Sequence, residues 1–207
     1  MDDFIKNYKT ELIKKGKTLL SPGDKFDFIF FLEKGYIRRY IVTNTADELT
    51  IHVFEKGTFI ELLDLFEEVD RDSYFDALTD LSVKKIPKVE LLAFLQSNNE
   101  VSIEIIQRLL TGLDKISRRI KDMAYSSAKK RVANTLIFLQ DHFGKSISGS
   151  RKIDEVFTHM DIAAFAGVSR ETTSRELMKL RNKGAISIDD DKKIVIEDLE
   201  SLENVRW

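Results

Sequence analysis

The sequence predicts an α+β protein with an N-terminal antiparallel β-roll, a long dimerisation helix and a C-terminal winged helix-turn-helix. Three observations predict this fold class. Short strand-like segments occupy the first half of the chain, an apolar stripe with heptad spacing follows, and two short helical segments with a tight turn precede a hairpin near the C-terminus. We expect three domains, at residues 1–97, 98–125 and 126–207.

Composition limits the classes of function. The 207 residues are 43% hydrophobic and 33% charged, with a net charge of −2, as expected of a globular protein with a substantial core. The absence of cysteine excludes disulfides, cysteine-bound iron–sulfur clusters and thiol redox sensing. No apolar run approaches the roughly 20 residues that cross a bilayer. The N-terminus lacks the apolar core of a signal peptide, so a cytoplasmic location is expected.

The N-terminal part is predicted to form short strands. Gly35–Thr43 and Glu48–Gly57 are rich in β-branched and aromatic residues, and turn-forming residues 44–47 lie between them. Ser73–Pro87 has the same character, and Pro22–Asp24 marks a sharp turn. The regular spacing of these strands predicts a small antiparallel roll or barrel.

A helical pattern begins at Glu90 and contains an apolar stripe. We call this stripe the apolar seam; it consists of Ile106, Leu109, Leu113, Ile116, Ile120 and Met123. Its flanks are charged, with Arg108, Asp114, Lys115, Arg118, Arg119 and Lys121. The alternating spacing of three and four residues over about two and a half heptads is typical of a coiled coil. We therefore expect a two-helix dimer contact; the alternative is that the seam packs on the β-roll of its own chain.

A second amphipathic helix is predicted over Ser126–Phe143. Its apolar positions are Val132, Leu136 and Leu139, at helical spacing. The polar and glycine-containing segment Gly144–Ser150 is expected to be a loop.

Thr158–Gly184 is predicted to form two short helices joined by a tight turn. Thr158 followed by Asp161 resembles a capping box, in which the Asp replaces the usual Glu or Gln. Gly167 lies where the chain must turn sharply and suits a positive φ. Ser169 is a favourable N-cap for the second helix.

The second of these helices has two faces. The inward face is predicted to contain Thr173, Leu177 and Leu180, and the opposite face contains Arg170, Glu171, Ser174 and Arg175. Arginine bonds guanine O6 and N7, glutamate accepts from cytosine N4, and serine bonds either a base or a phosphate. The outer face therefore suits direct contact with DNA bases. The alternative is a surface helix with a Glu171–Arg175 salt bridge.

Further features support DNA binding. Phe165–Lys183 contains five basic and two acidic residues, so this segment has a charge of +3 in a nearly neutral chain. Contacts to DNA phosphates are predicted for Thr158, Ser169, Thr172 and Lys179. Ala185–Ile188 and Lys193–Ile196 flank the acidic turn Asp189–Asp191, and a hairpin directly after a helix-turn-helix is a wing.

At these residues the sequence resembles the CRP/FNR family of bacterial transcription regulators. The specific motif is S-R-E-T-x-x-R at Ser169–Arg175. In the family, positions matching Arg170, Glu171 and Arg175 contact bases of a TGTGA-like half-site. The pattern E-x-x-S-R, which includes Ser174, equally resembles the FNR branch and its TTGAT-like half-site, so the branch stays open. The resemblance covers nearly the whole chain. It implies a homodimer on a palindromic operator, a β-roll that is a double-stranded β-helix, and RNA polymerase as a partner.

The N-terminal half resembles the cyclic-nucleotide-binding roll of that family, with departures in Gly57–Phe66 and beyond. Glu61 replaces the Gly that lets the backbone approach the nucleotide, and Leu62 replaces the Glu that bonds the ribose. The phosphate-binding Arg-Ser pair appears as Arg71 and Asp72, and Asp72 puts a negative charge beside the phosphate position and can pair with Arg71 instead. Each change opposes nucleotide binding, so the resemblance implies a degenerate pocket and no response to cyclic AMP.

Other cofactors and catalysis are not expected. A haem would need an axial ligand from His52, His142 or His159, and His52 falls in a predicted strand. An iron–sulfur cluster needs cysteines, and no metal site is expected. P-loop, nucleophile-elbow and zinc-protease motifs are absent from the sequence, so an enzyme is not expected. The alternative function is a cyclic-nucleotide-binding signalling module whose winged domain contacts protein instead of DNA.

Overall fold

A computed structural model describes residues 1–67, 71–147 and 150–204. The α+β fold class is confirmed: antiparallel sheets come first, then a long helix, then a helix-turn-helix. The chain divides into two compact units, residues 1–116 and residues 117–207, and the boundary falls within the long helix. The division into 1–97, 98–125 and 126–207 stays a prediction.

The described part of the first unit contains two four-stranded antiparallel sheets and several helices. Their strand orders are β1-β8-β3-β6 and β2-β7-β4-β5. The elements are α1 (Asp2–Lys6), β1 (Thr10–Ile13), β2 (Thr18–Leu20), β3 (Phe28–Lys34), β4 (Ile37–Val42), β5 (Glu48–Phe54), β6 (Thr58–Ile60), a 3₁₀ helix (Leu62–Leu65), β7 (Tyr74–Ala77), β8 (Leu81–Pro87), α2 (Lys88–Ser97) and α3 (Asn99–Tyr125).

Strand β3 is buried on both faces. Successive side chains of a strand point to opposite sides. Phe30 and Leu32 therefore join the core between the two sheets, whereas Ile29 and Phe31 join a second core with residues of α1, α2 and α3. This double burial explains why the strand is an almost continuous apolar run.

The strands predicted at Gly35–Thr43 and Glu48–Gly57 are confirmed as β4 and β5. Ser73–Pro87 contains two strands, β7 and β8, which belong to different sheets. Gly35, which connects β3 to β4, has φ +97°, and a Cβ built on it would lie 2.6 Å from the carbonyl oxygen of Asp80. Both its backbone conformation and its close approach to a neighbouring turn require glycine.

Helix α2 begins at Lys88, directly after Pro87, two residues before the predicted start at Glu90. Proline is tolerated at the start of a helix because no intrahelical acceptor exists there for its missing N–H. Helix α3 then extends for 27 residues from Asn99 to Tyr125.

The apolar seam of α3 is largely uncovered by its own chain. Ile106, Leu109, Leu113 and Ile120 are 54–61% exposed, and the other two seam residues are partly buried. Ile106, Leu109 and Leu113 belong to the first unit, and their exposure contradicts the alternative in which these three residues pack fully on the β-roll of their own chain. Single exposed apolar residues are common, but a contiguous stripe marks an interaction surface.

The second unit contains the end of α3 and a four-stranded sheet with the order β11-β12-β10-β9. Its elements are α4 (Ala128–Phe143), β9 (Gly144–Ile147), β10 (Ser150–Ile153), α5 (His159–Ala166), α6 (Arg170–Asn182), β11 (Ile186–Ile188), β12 (Ile194–Ile196) and α7 (Leu199–Glu203). The predicted wing is thus present as the β11–β12 hairpin.

The prediction of a loop at Gly144–Ser150 is wrong for most of that segment, which pairs as β9 with β10; residues 148–149 lie outside the described residues. The reason is tertiary. Strand β10 also pairs with the wing, through Arg151 opposite Ile196 and Lys152 opposite Val195. Pairing with a distant strand recruits a polar segment that its own composition does not favour.

Helix α4 is confirmed, with Val132, Leu136 and Leu139 fully buried. It begins one residue after Ser127, whose Oγ accepts a hydrogen bond from the backbone N–H of Lys130 at 3.3 Å. The helix contacts both α5 and α6 and so forms the support for the helix-turn-helix.

We predict that Gly35→Ala destabilises the first unit by about 3 kcal/mol or more, because a left-handed backbone cost adds to a backbone clash. Gly23→Ala is the matched control: its φ is +79°, but nothing lies within 4 Å of the added Cβ, so about 1 kcal/mol is expected. Urea unfolding followed by circular dichroism measures both. Equal losses would contradict the crowding at Gly35.

Candidate nucleic-acid interface

The first helix of the helix-turn-helix begins with a complete capping box. The backbone N–H of Thr158 donates to Asp161 Oδ2 at 2.7 Å, and the backbone N–H of Asp161 donates to Thr158 Oγ1 at 3.1 Å. Gly167 ends the helix in the left-handed conformation, with φ 62° and ψ 42°. The predicted cap and turn are both confirmed, because each depends on residues close in sequence.

The second helix, α6, is oriented by its cap and by its buried face. Ser169 Oγ accepts a hydrogen bond from the backbone N–H of Thr172 at 3.2 Å. Thr173, Leu177 and Leu180 are buried as predicted. Burial of this face fixes which side chains of α6 point away from the protein.

The outward face of α6 contains the predicted base-contacting residues. Arg170, Glu171 and Arg175 are exposed, and Ser174 is partly buried. Arg175 Nη2 donates to Thr172 Oγ1 at 3.1 Å, and within the described residues no ion pair joins it to Glu171. The predicted alternative of a Glu171–Arg175 salt bridge is therefore wrong. Two guanidiniums and one carboxylate remain exposed within about one and a half helical turns.

Each predicted phosphate-contacting residue has an intramolecular partner. The hydroxyls of Thr158 and Ser169 take part in the two helix caps, and Ser169 Oγ also donates to Thr172 Oγ1 at 3.0 Å. The ammonium of Lys179 donates to Glu176 at 2.7 Å. Their contacts with DNA stay predictions.

His159 also lies at this site, a position that was not predicted from the sequence. Its Nδ1 lies 2.8 Å from Ser174 Oγ, so the first residue of α5 contacts the outward face of α6. From the sequence, His159 was considered only as a possible haem ligand. The available signal was its place directly after the N-cap residue Thr158, as the first residue of α5.

The wing is tied to the rest of its sheet by ion pairs. Asp154 pairs with Lys145 and with Lys193, the latter at 2.8 Å, and Lys152 pairs with Asp189. Hydrogen bonds from Lys145 and then from Lys193 lower the pKa of Asp154 to about 2. These contacts connect β12 to the β9–β10 hairpin.

Comparison with known proteins identifies the family. Residues 130–205 match the family model of the Crp-like helix-turn-helix domain, and residues 10–98 match that of the cyclic nucleotide-binding domain. A CRP/FNR-family transcriptional regulator from Thermus thermophilus has a TM-score of 0.79 at 26% identity, covering 94% of this chain and 96% of that chain. The anaerobic regulatory protein of Bacillus subtilis is 30% identical over 185 residues, which is 89% of this chain and 78% of the relative. This chain belongs to the CRP/FNR family.

A global nitrogen regulator from Nostoc sp. is 27% identical over 188 residues, covering 90% of this chain and 84% of the relative. The CRP/FNR family consists of transcription regulators with a helix-turn-helix DNA-binding domain, not of enzymes. No helix in the described ranges is long and apolar enough to cross a membrane.

In this CRP/FNR chain an internal carboxylate lies within the domain that matches the cyclic nucleotide-binding family model. Glu61 keeps a left-handed backbone, with φ 55° and ψ 48°, and its side chain is buried. Glu61 Oε1 accepts from Arg39 Nη1 at 3.2 Å, and Oε2 lies 3.8 Å from Arg71 Nε. Burial raises the pKa of Glu61, while Arg39 and Arg71 oppose that rise.

The predicted pairing of Arg71 with Asp72 is wrong. Arg71 is buried, pairs with Asp64 and donates to the backbone carbonyl of Asp24. Asp72 is exposed and accepts from Ser73 Oγ at 2.7 Å. Adjacent residues of an extended segment point to opposite sides, so only the arginine enters the interior.

These residues do not fit a cyclic nucleotide. The two guanidiniums of Arg39 and Arg71 are matched by the carboxylates of Glu61 and Asp64, and Leu62 is part of the apolar core rather than a hydrogen-bonding group. A phosphate entering here would be repelled by the carboxylates of Glu61 and Asp64.

A cavity of about 920 Å³ lies next to this cluster within the first unit. Its walls are mostly apolar and include Phe54, Leu62, Leu109 and Leu113. His52 also lines it and contacts Phe54 edge to face, with ring centroids 4.7 Å apart. Within the described residues no group of three or more His, Cys, Asp or Glu side chains is arranged to hold a metal ion.

Proposed function

We propose that this chain is a homodimeric regulator that binds a palindromic operator in double-stranded DNA through α6 and does not respond to cyclic AMP. The observation that carries the proposal is the two-faced nature of α6. Arg170, Glu171 and Arg175 are exposed near its N-terminus, while Leu177 and Leu180 anchor its other face.

The chemistry of this face favours direct contact with bases. Arg170 and Arg175 each offer a planar fork for O6 and N7 of guanine, and Glu171 offers an acceptor for N4 of cytosine. A glutamate beside DNA is repelled by phosphates. Because Glu171 is exposed and does not pair with Arg175, a contact with a base is favoured for it. Thr158, Ser169, Thr172 and Lys179 are proposed to contact the DNA backbone, which sets position but not sequence preference.

The apolar seam supports a dimer. Four of its residues are more than half exposed in the single chain, and pairing with a second copy would bury them in knobs-into-holes packing. In such a dimer the two copies of α6 would contact half-sites whose centres are about 34 Å apart. RNA polymerase is a further proposed partner, supported by membership of the family.

The Glu61 cluster supports the absence of a cyclic AMP response. Relatives named as cAMP-activated regulators, from Mycobacterium tuberculosis and Salmonella typhimurium, are 22% and 25% identical to this chain. Here a nucleotide phosphate would have to displace Glu61 and Asp64 from Arg71 and Arg39. Losing one hydrogen bond to a charged group costs about 1.5–3 kcal/mol, so replacing a carboxylate by a phosphate adds little free energy of binding.

We predict that Arg175→Ala reduces affinity for the operator by at least about tenfold while binding to scrambled DNA changes little, because a bidentate base contact contributes about 1–3 kcal/mol of discrimination. Fluorescence anisotropy with TGTGA-like and TTGAT-like palindromes measures this change. Arg181→Ala, which removes the same charge at the other end of α6, is the control and should preserve the specificity ratio. Retention of that ratio by Arg175→Ala would mean that the assigned face is wrong.

We predict that the double substitution Ile116→Glu and Ile120→Glu dissociates the dimer and weakens operator binding, because like charges would face each other in the seam. Sedimentation velocity measures the mass. The control Thr111→Glu adds one negative charge on the opposite side of the helix, because Thr111 lies nine residues before Ile120. This variant should remain dimeric. An unchanged dimer in the seam variant would refute the seam as the contact.

We predict that calorimetry detects no cyclic AMP binding below roughly 100 μM, and that saturating cyclic AMP leaves operator affinity unchanged. Tight binding would overturn the proposed role of Glu61. If the nucleotide bound tightly while specific DNA binding was absent, the alternative of a nucleotide-binding module that contacts protein would be favoured.

A further inference from the structure

Arg119 belongs to the charged flank of the apolar seam, but its side chain turns towards the helix-turn-helix. Its Nη2 donates to the backbone carbonyl of Phe165 at 2.7 Å. Arg119 is partly buried, whereas Arg118 and Ile120 beside it are exposed. Burial lowers the pKa of the Arg119 guanidinium, and the charge of Asp122 partly opposes this.

The acceptor, the carbonyl oxygen of Phe165, lies at the C-terminal end of α5. Phe165 is the last residue but one of α5, and the final carbonyls of a helix have no partner within it. Ala163 O accepts from the backbone N–H groups of Gly167 and Val168. Arg119 satisfies the carbonyl of Phe165 and places a positive charge at the negative end of the helix dipole.

The end of α3 is also held by α4. Arg131 Nη1 donates to the carbonyl of Met123 at 3.1 Å, and Asn134 Nδ2 donates to Asp122 Oδ2 at 3.2 Å. These contacts fix α4 to the end of α3. The Arg119 contact reaches one element further, to the turn from which α6 begins.

We propose that Arg119 is a positioning residue that fixes the orientation of α6 relative to the C-terminal segment of α3, residues 117–125, by holding the C-terminal end of α5. Because Gly167–Ser169 separates α5 from α6 by three residues, an angular constraint on the end of α5 passes to α6. The consequence for DNA rests on the proposed function: in a dimer joined through α3, this contact sets the separation at which the two copies of α6 meet their half-sites.

The first test does not depend on DNA. Amide hydrogen exchange at Gly167 and Val168 should be faster by at least about tenfold in Arg119→Met, because this variant keeps an unbranched side chain but loses the charged hydrogen bond. Arg119→Lys, which keeps a charge and a donor, should restore part of the protection. Arg118→Met, the matched control at the adjacent exposed position, should match the wild type. Unchanged exchange in Arg119→Met would overturn the proposal.

The second test measures spacing selectivity, which general destabilisation would not alter. The full-length protein is titrated against palindromes whose half-site centres are moved apart by one and two base pairs. The wild type should bind one spacing best. In Arg119→Met the ratio of the affinity for the best spacing to the affinity for the other spacings should fall by about threefold or more. An equal loss of affinity at every spacing would overturn the positioning role. Failure of the wild type to bind any palindrome specifically would instead reject the proposed function, while the exchange experiment still decides the role of Arg119.

Discussion

Helix α3 has more apolar surface than its own chain covers. Its 27 residues include one buried position, Ile105, which joins the core of the β-roll, while four residues of the apolar seam stay more than half exposed. Burial of apolar area is the main favourable term in association, so this exposed stripe has a strong tendency to find a partner. The proposed dimer, and the proposed separation of two DNA-contacting helices, both depend on this one helix.

Charge is distributed in two different ways in the two units. In the β-roll, Arg39, Arg71, Glu61 and Asp64 neutralise one another in the interior, where an uncompensated charge would be costly. On α6, Arg170 and Arg175 remain exposed to solvent. A chain with a net charge of −2 can thus have a local positive surface on α6 while Arg39 and Arg71 of its β-roll are paired with carboxylates.

The helix-turn-helix was predictable because its determinants are local. The capping box of Thr158, the left-handed Gly167 and the N-cap Ser169 each act over three or four residues, and the structure has all of them. The β9–β10 hairpin was not predictable, because its pairing partner β12 is more than 40 residues away along the chain. The partner of Arg71 was misjudged because no local pattern marks Asp64, which lies seven residues earlier in the chain, as its partner.

By itself the sequence determined the order of sheets, long helix and winged helix-turn-helix, and the face of α6 that bears Arg170, Glu171 and Arg175. These features follow from periodicity, from caps and from residue chemistry, which are properties of neighbouring residues. Only the tertiary structure decided that Glu61 fills the place between two arginines, that the apolar seam is left exposed, and that Arg119 holds the carbonyl of Phe165. The two hydrogen bonds join residues that are 22 and 46 positions apart. The exposure of the seam depends on how the chain around it packs. No local pattern of the sequence specifies either feature.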